Sequence, residues 1–170
     1  MTRTIPAIIT AEWLRDHLRQ TEVAAGSGAE VGSAPEAAAT APGAAPTELG
    51  AVPADSVSRS VPGRLTIIDT RFAEEYAAGH IPGAISVPFG IQSAWAESGG
   101  DYLLELPADE GLFQLIGDCG LTAESTVVVV GRVEEPPAPR YALADPVRVA
   151  ATLMYAGVRD VAVLSGGHPS

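Results

Sequence analysis

The chain contains no lysine, and all ten of its basic residues are arginines. That absence removes every mechanism built on a lysine amine: Schiff-base catalysis, a pyridoxal anchor, and the phosphate-binding lysine of a Walker-type loop. Cysteine is almost as scarce, since Cys119 stands alone and cannot close an internal disulfide. The three histidines, His17, His80 and His168, are far apart and have no thiols beside them. No zinc-ligand spacing results, and neither a metal nor any other cofactor is expected. Long apolar runs are missing too: none approaches the roughly 20 residues that span a bilayer. The opening stretch MTRTIPAIITAEWLRDHL lacks the basic-then-apolar layout of a signal peptide. The expectation is a cytoplasmic protein with no membrane partner.

With 170 residues there is room for one domain, or one domain and a tail. Acidic residues number 21 against the ten arginines, a net charge of −11 that repels polyanions, so nucleic acid is not an expected partner. Residues 24–63 are Ala, Gly, Pro and Ser with almost no large apolar side chain. Such a stretch cannot bury enough surface to offset the entropy of being fixed, and it reads as a flexible insertion. Without it about 130 residues remain, enough for one core burying roughly two-thirds of its unfolded surface.

The rest alternates strands and helices. Thr10 is placed to cap a helix through Arg19, with Trp13, Leu14, His17 and Leu18 on one face, which makes His17 a packing residue. Arg64 to Asp69 reads as a strand, Phe72 to Ala78 as a helix, Ala84 to Val87 as extended, and Leu112 to Ile116 as helical. The run TVVVV, Thr126 to Val130, is β-branched without polar alternation and so belongs inside a sheet covered on both faces. Asp145 and Pro146 read as cap and first turn of a helix that Gly157 ends, and Val161 to Leu164 as the next strand. These pieces form a βαβ crossover, and the fold class is α/β with a mostly parallel central sheet.

The stretch Ile67 to Phe89, IIDTRFAEEYAAGHIPGAISVPF, resembles the strand, Asp-x-Arg, helix and Gly-His-Ile-Pro-Gly-Ala signature of the rhodanese (sulfurtransferase) superfamily. Asp69, Arg71, Glu75, His80 and Gly83 carry that match. Ala156 to Gly167, AGVRDVAVLSGG, is similar to the family's helix end, last core strand and Gly166-Gly167 turn. The resemblance implies a three-layer α/β/α sandwich: a single rhodanese-like domain over residues 5–170, interrupted by 24–63 and cut short at Ser170. These family-motif residues are chiefly architectural and do not by themselves establish turnover.

For catalysis the resemblance implies a cysteine directly after the TVVVV strand. There a thiolate would take sulfane sulfur from a donor and hold it as a persulfide, cradled by backbone amides. The matching residue is Gly131, so no catalytic residue is assigned. Glu134 and Glu135 follow where positive potential would be needed, and Pro136, Pro137 and Pro139 remove amide donors. Cys119 lies before the strand, and a Cys-x5-Arg loop starting there would need arginine where Ser125 stands; it reads as an inert filler.

The pattern resembles the amino-terminal, cysteine-less domain of a multidomain thiosulfate or 3-mercaptopyruvate sulfurtransferase. The expected partners are then a second rhodanese domain in the same polypeptide, holding the persulfide cysteine, and a small anionic sulfur donor bound there. Arg132, Arg140 and Arg148 are the cations near the crevice that an anion could meet, with solvation or pairing to Glu134 and Glu135 the simpler expectation. The chain alone is expected to be inactive. The alternative from another class is a stand-alone binding or regulatory module on the same scaffold.

Overall fold

Five strands lie side by side and all parallel in the computed structural model, which describes residues 5–26, 65–91, 93–99, 102–133 and 143–168. In chain order they are β1 (Ile8–Ile9), β2 (Leu65–Asp69), β3 (Ile85–Ser86), β6 (Thr126–Val130) and β7 (Asp160–Leu164). A separate antiparallel pair, β4 (Glu97–Gly99) and β5 (Tyr102–Glu105), follows β3. The helices are α1 (Ala11–Gly26), α2 (Ala73–Ala78), α3 (Asp109–Asp118) and α4 (Ala144–Tyr155). The sheet order is β1-β7-β6-β2-β3, with Ile68 opposite both Val129 and Ile85.

The TVVVV run sits at the centre of this sheet, and its four valines are fully buried. Side chains alternate across a strand, so Val127 and Val129 enter one core and Val128 and Val130 another. Val127 and Val129 pack with Leu112, Leu115 and Ile116 of α3 and with Val149 and Leu153 of α4. The opposite core gathers Ile9, Ile67, Ala162 and Leu164 with Leu14 of α1, and Trp13, Leu18 and Tyr76 lie against it. The result is three layers: α1 and α2, the sheet, then α3 and α4.

Helix α1 starts as its sequence dictates, with the Thr10 hydroxyl accepting the Trp13 amide at 3.2 Å. The His17 ring stacks on Trp13 at 3.9 Å between centroids. The helix runs on to Gly26, past Arg19, because the good helix formers Gln20, Glu22, Ala24 and Ala25 continue it. Residues 24–26, expected at the head of the insertion, are thus helical; residues 27–63 lie outside the described residues. Among the described residues no helix is long and apolar enough to cross a membrane.

Two features differ from the sequence reading. Helix α4 begins one residue before Asp145: Leu143 occupies the cap position in helical geometry with no side-chain cap bond, and Asp145 and Pro146 are the second and third helical residues. Proline lacks an N–H that the first turn leaves unpaired in any case, and Asp145 complements the helix dipole without capping it. Between β3 and α3, where no element is expected from the sequence, the chain forms the β4–β5 hairpin. Trp95, just before it, is 2% exposed and donates its indole N–H to the Val87 carbonyl at 2.9 Å.

Candidate functional site

From β2 the chain passes to α2 on one face of the sheet, and from the adjacent β6 to α4 on the other. In open α/β sheets such a reversal leaves a crevice at the carboxyl ends of the two strands, where ligands bind. The segments that leave the two strands at this point are Thr70 to Phe72 after β2 and Gly131 and Arg132 after β6; Thr70, Arg71 and Gly131 are buried, and Phe72 and Arg132 reach the surface.

On the β2 side the Asp69 and Arg71 side chains are wholly buried and bind each other. Arg71 Nε donates to Asp69 Oδ1 at 3.0 Å, a terminal nitrogen donates to Oδ2 at 2.8 Å, and the Arg71 backbone N–H adds a 3.1 Å bond to Oδ1. The guanidinium also donates to the Gly79 carbonyl at 2.8 Å, so the pair ties the end of β2 to the end of α2. A fork geometry of this kind offsets the desolvation of two charges only when nearly every donor is matched.

The turn after α2 is fixed by Tyr76 and His80. Tyr76 donates its hydroxyl to the Ala84 carbonyl at 2.6 Å. Partial burial, and secondarily the negative Asp69, raise its pKa above the ordinary phenol value. His80 is exposed; its ring lies 3.9 Å from the Tyr76 ring and nearly parallel to it. His80 Nδ1 is 3.0 Å from the Tyr76 carbonyl, and because a carbonyl only accepts, Nδ1 carries the proton. Gly83 provides the positive φ of 78° that turns the chain into β3. Glu75 accepts the Phe72 backbone N–H at 2.9 Å, satisfying an amide at the start of α2.

On the β6 side the backbone is held from two directions. The Val130 carbonyl accepts both the amide and the hydroxyl of Thr70 at 2.9 Å each. The Gly131 carbonyl accepts the His168 amide at 2.9 Å, and Arg132 pairs with His168 as a parallel β-bridge. Gly166 and Gly167 make the turn that allows this, with φ of 81° and 60°. A Cβ on Gly167 would lie 2.5 Å from the Gly131 carbonyl oxygen, so only glycine permits the approach.

The three arginines expected near the crevice part company. Arg132 lies over the Phe72 ring at 4.1 Å and 3.9 Å from a Glu75 carboxylate oxygen. Arg148 is exposed on α4, where its carbonyl accepts the Thr152 hydroxyl at 3.0 Å. Arg140, with Glu134 and Glu135, lies outside the described residues. Cys119 follows α3 at the amino end of β6, roughly 17 Å of strand from Gly131. It is buried, and desolvation, with a smaller effect of Asp118, pushes its thiol up to about 11. Among the described residues no group of three or more His, Cys, Asp or Glu is placed to hold a metal ion.

Sequence reading alone missed Thr70 and Phe72. Thr70 sits between the Asp and Arg of the β2 motif, and a hydroxyl there was a visible signal. Phe72 had none, because its role depends on an arginine 60 positions later.

Comparison with known proteins gives a match of residues 54–170 to the family model described as rhodanese-like domain. The chain is 38% identical over 87 residues to the HTH-type transcriptional regulator Rv0324 of Mycobacterium tuberculosis (strain ATCC 25618 / H37Rv), a match covering 51% of this chain and 32% of that protein. It therefore spans about a third of the length of that curated relative. Among solved structures, YnjE is similar at 30% identity and a TM-score of 0.46, over 62% of this chain and 23% of that one. The anaerobic ergothioneine biosynthesis enzyme from Chlorobium limicola is similar at 29% identity and a TM-score of 0.44, over 69% and 30%.

Proposed function

Because the chain belongs to the rhodanese-like domain family, we propose that it is a catalytically silent rhodanese domain of a sulfurtransferase whose persulfide cysteine lies in a later domain. One observation carries this reading: the residue leaving β6 into the crevice is Gly131, which has no side chain. Sulfane transfer needs a thiolate there. The thiolate forms a new S–S bond to the outer sulfur of a donor such as thiosulfate, the donor's own S–S bond breaks, and sulfite leaves with the electron pair. A thiophilic acceptor then removes the sulfur. Nothing at Gly131 can form the first bond, and Cys119 is buried at the far end of the strand with its thiol held protonated.

On this reading the residues of the family motif are a frame. Asp69 and Arg71 fasten β2 to α2, and Gly166 and Gly167 brace the exit of β6. The proposal carries with it a cytoplasmic setting, a second rhodanese domain in the same polypeptide, and a small anionic donor, thiosulfate or 3-mercaptopyruvate, bound there. The test is intact mass after incubation with thiosulfate, alongside cyanide-dependent thiocyanate formation. The isolated 170 residues are expected to gain no sulfur atom and form no thiocyanate. A longer product with a cysteine after a later strand is expected to do both. Activity of the isolated chain that Cys119→Ser abolishes would overturn the proposal.

A second reading, a regulatory or binding module without activity, is favoured by the match to a protein named as an HTH-type transcriptional regulator. In such a protein nucleic acid contact falls to another region, since this chain's net charge of −11 opposes it. The coding frame past Ser170 separates the two: an in-frame second rhodanese domain supports the enzyme, and a stop codon supports the module.

A further inference from the structure

Helix α4 is apolar on its outward side as well as on its inward one. Val149, Ala150 and Leu153 are buried in the core, yet Leu143, Val147, Met154 and Tyr155 are 58%, 48%, 47% and 64% exposed. Asp145 and Arg148 are the only charged residues of its twelve, and Asp145 is half-buried. A surface helix turns polar residues to solvent, and one that is apolar all round is normally a covered helix. Leu143, Val147, Ala151 and Tyr155 recur every four residues and form one ridge. Its third member is a single methyl group, so the ridge dips between Val147 and Tyr155.

Helix α3 lies in the same layer, and its outward side has the opposite character. Leu112, Leu115 and Ile116 are buried, whereas Phe113 is 55% exposed. Asp109, Glu110 and Asp118 are exposed, and the helix contains no cation. One layer thus carries an acidic ridge with a projecting aromatic ring and an apolar ridge with a dip and one exposed cation, Arg148. The two ridges are complementary in shape and charge. Because they face the same way, they can meet only between two copies.

We propose that this layer is a self-association surface: two copies of this chain meet about a two-fold axis, α3 of each against α4 of the other, with Phe113 seated over Ala151. Such a contact is closed, since each ridge finds its complement on the other copy. Charge selects the pairing. With a net charge of −11 on each copy, most faces repel one another. Stacking α3 on its own copy would oppose Asp109, Glu110 and Asp118 to themselves, whereas α3 on α4 separates them and offers Arg148. Five large apolar side chains about half exposed, at roughly 100 Å² each, bring about 1,000 Å² together in the pair, the lower end of specific interfaces. A Kd in the micromolar range follows. The inference is independent of whether the domain is catalytically silent.

The experiment is sedimentation equilibrium of the native 170-residue chain between about 1 and 200 µM. The mass is expected to rise from 17.4 kDa toward twice that value. Val147→Glu and Phe113→Glu, each burying a charge in the contact, are expected to weaken the dimer by about tenfold or more, and Arg148→Glu by about two- to fivefold. All three side chains are exposed, so unfolding midpoints in urea should stay near the native one. A chain that is monomeric throughout overturns the proposal, and dimers that form only after removal of residues 27–63 would make those residues the occupant instead. Loss in Val147→Glu with none in Phe113→Glu overturns the crosswise pairing. If a variant fails to fold, hydroxyl-radical footprinting of the native chain decides. Phe113, Met154 and Tyr155 are expected to gain protection as concentration rises while Phe72, exposed at the start of α2, does not; labelling independent of concentration at all four overturns the proposal.

Discussion

Replacing Gly167 by alanine tests the brace behind β6, and Gly166→Ala supplies its internal control. Both glycines have positive φ, 60° and 81°, so an L-residue at either pays a left-handed conformation costing about 1–2 kcal/mol. The reduced entropy of the unfolded chain returns roughly 0.4–1 kcal/mol. The net loss at Gly166, where a Cβ meets nothing within 4 Å, is therefore about 1 kcal/mol. At Gly167 the same Cβ would sit 2.5 Å from the Gly131 oxygen and 2.8 Å from the Arg132 oxygen, both backbone. Those carbonyls belong to segments already bonded to their neighbours and cannot swing aside as a flexible side chain would. Overpacking of that kind adds about 1–3 kcal/mol, giving about 2–4 kcal/mol in total. Urea unfolding followed by tryptophan fluorescence, with Trp95 buried as reporter, resolves the difference. With m of about 1–3 kcal/mol/M, the midpoint falls by roughly 0.5 M for Gly166→Ala and by roughly 1–2 M for Gly167→Ala. Equal shifts in the two variants would refute the steric argument and leave only backbone strain.

The buried Asp69–Arg71 pair makes Arg71→Met destabilising by about 3–5 kcal/mol, because the Asp69 carboxylate loses its counterion inside the fold. Adding Asp69→Asn should recover part of the loss in the same urea assay; a single-variant loss below about 1 kcal/mol would contradict the assignment. Cys119 gives a pH dependence. Burial raises its thiol from the ordinary 9.0 to about 11 in the folded chain, so between those values the native state holds the proton more tightly than the unfolded state does. The stabilisation is complete below pH 9 and fades as pH rises toward 11, a fall on the order of 2 kcal/mol that Cys119→Ala should remove from the stability profile. The companion measurement is alkylation at pH 8, slow in the native protein and fast in urea; rapid native labelling would show the burial to be wrong.

Much of the fold was legible where physical chemistry leaves few choices. Four consecutive valines without polar alternation fit only a strand covered on both faces, and Thr126 to Val130 is that strand. Thr10 before an apolar-periodic stretch marks a helix start, and the hydroxyl makes the bond. The β4–β5 hairpin was illegible because its strands have three and four residues and no clean alternation. One of its residues, Leu104, takes a φ of 61° that nothing in a leucine announces. The start of α4 shifted because aspartate and proline suit the first turn nearly as well as the cap. At the crevice, sequence order located Gly131 and its neighbours. It could not show that Arg132 faces Glu75 and Phe72, since that meeting depends on β2 and β6 being adjacent.

The placement of β1 has a consequence for how the molecule comes into being. Ile8 finds its register against Val163, about 155 positions downstream, at the outer edge of the sheet. At roughly 5–20 residues per second, a ribosome releases the first of these some 8–30 s before the second. β1 thus emerges well before the strand it pairs with, and during that interval Ile9 and Leu14, both destined for the core, have no completed surface to rest on. Nascent chains stalled before residue 160 should therefore expose this amino-terminal stretch to proteases and holdases, and chains released beyond 164 should shield it.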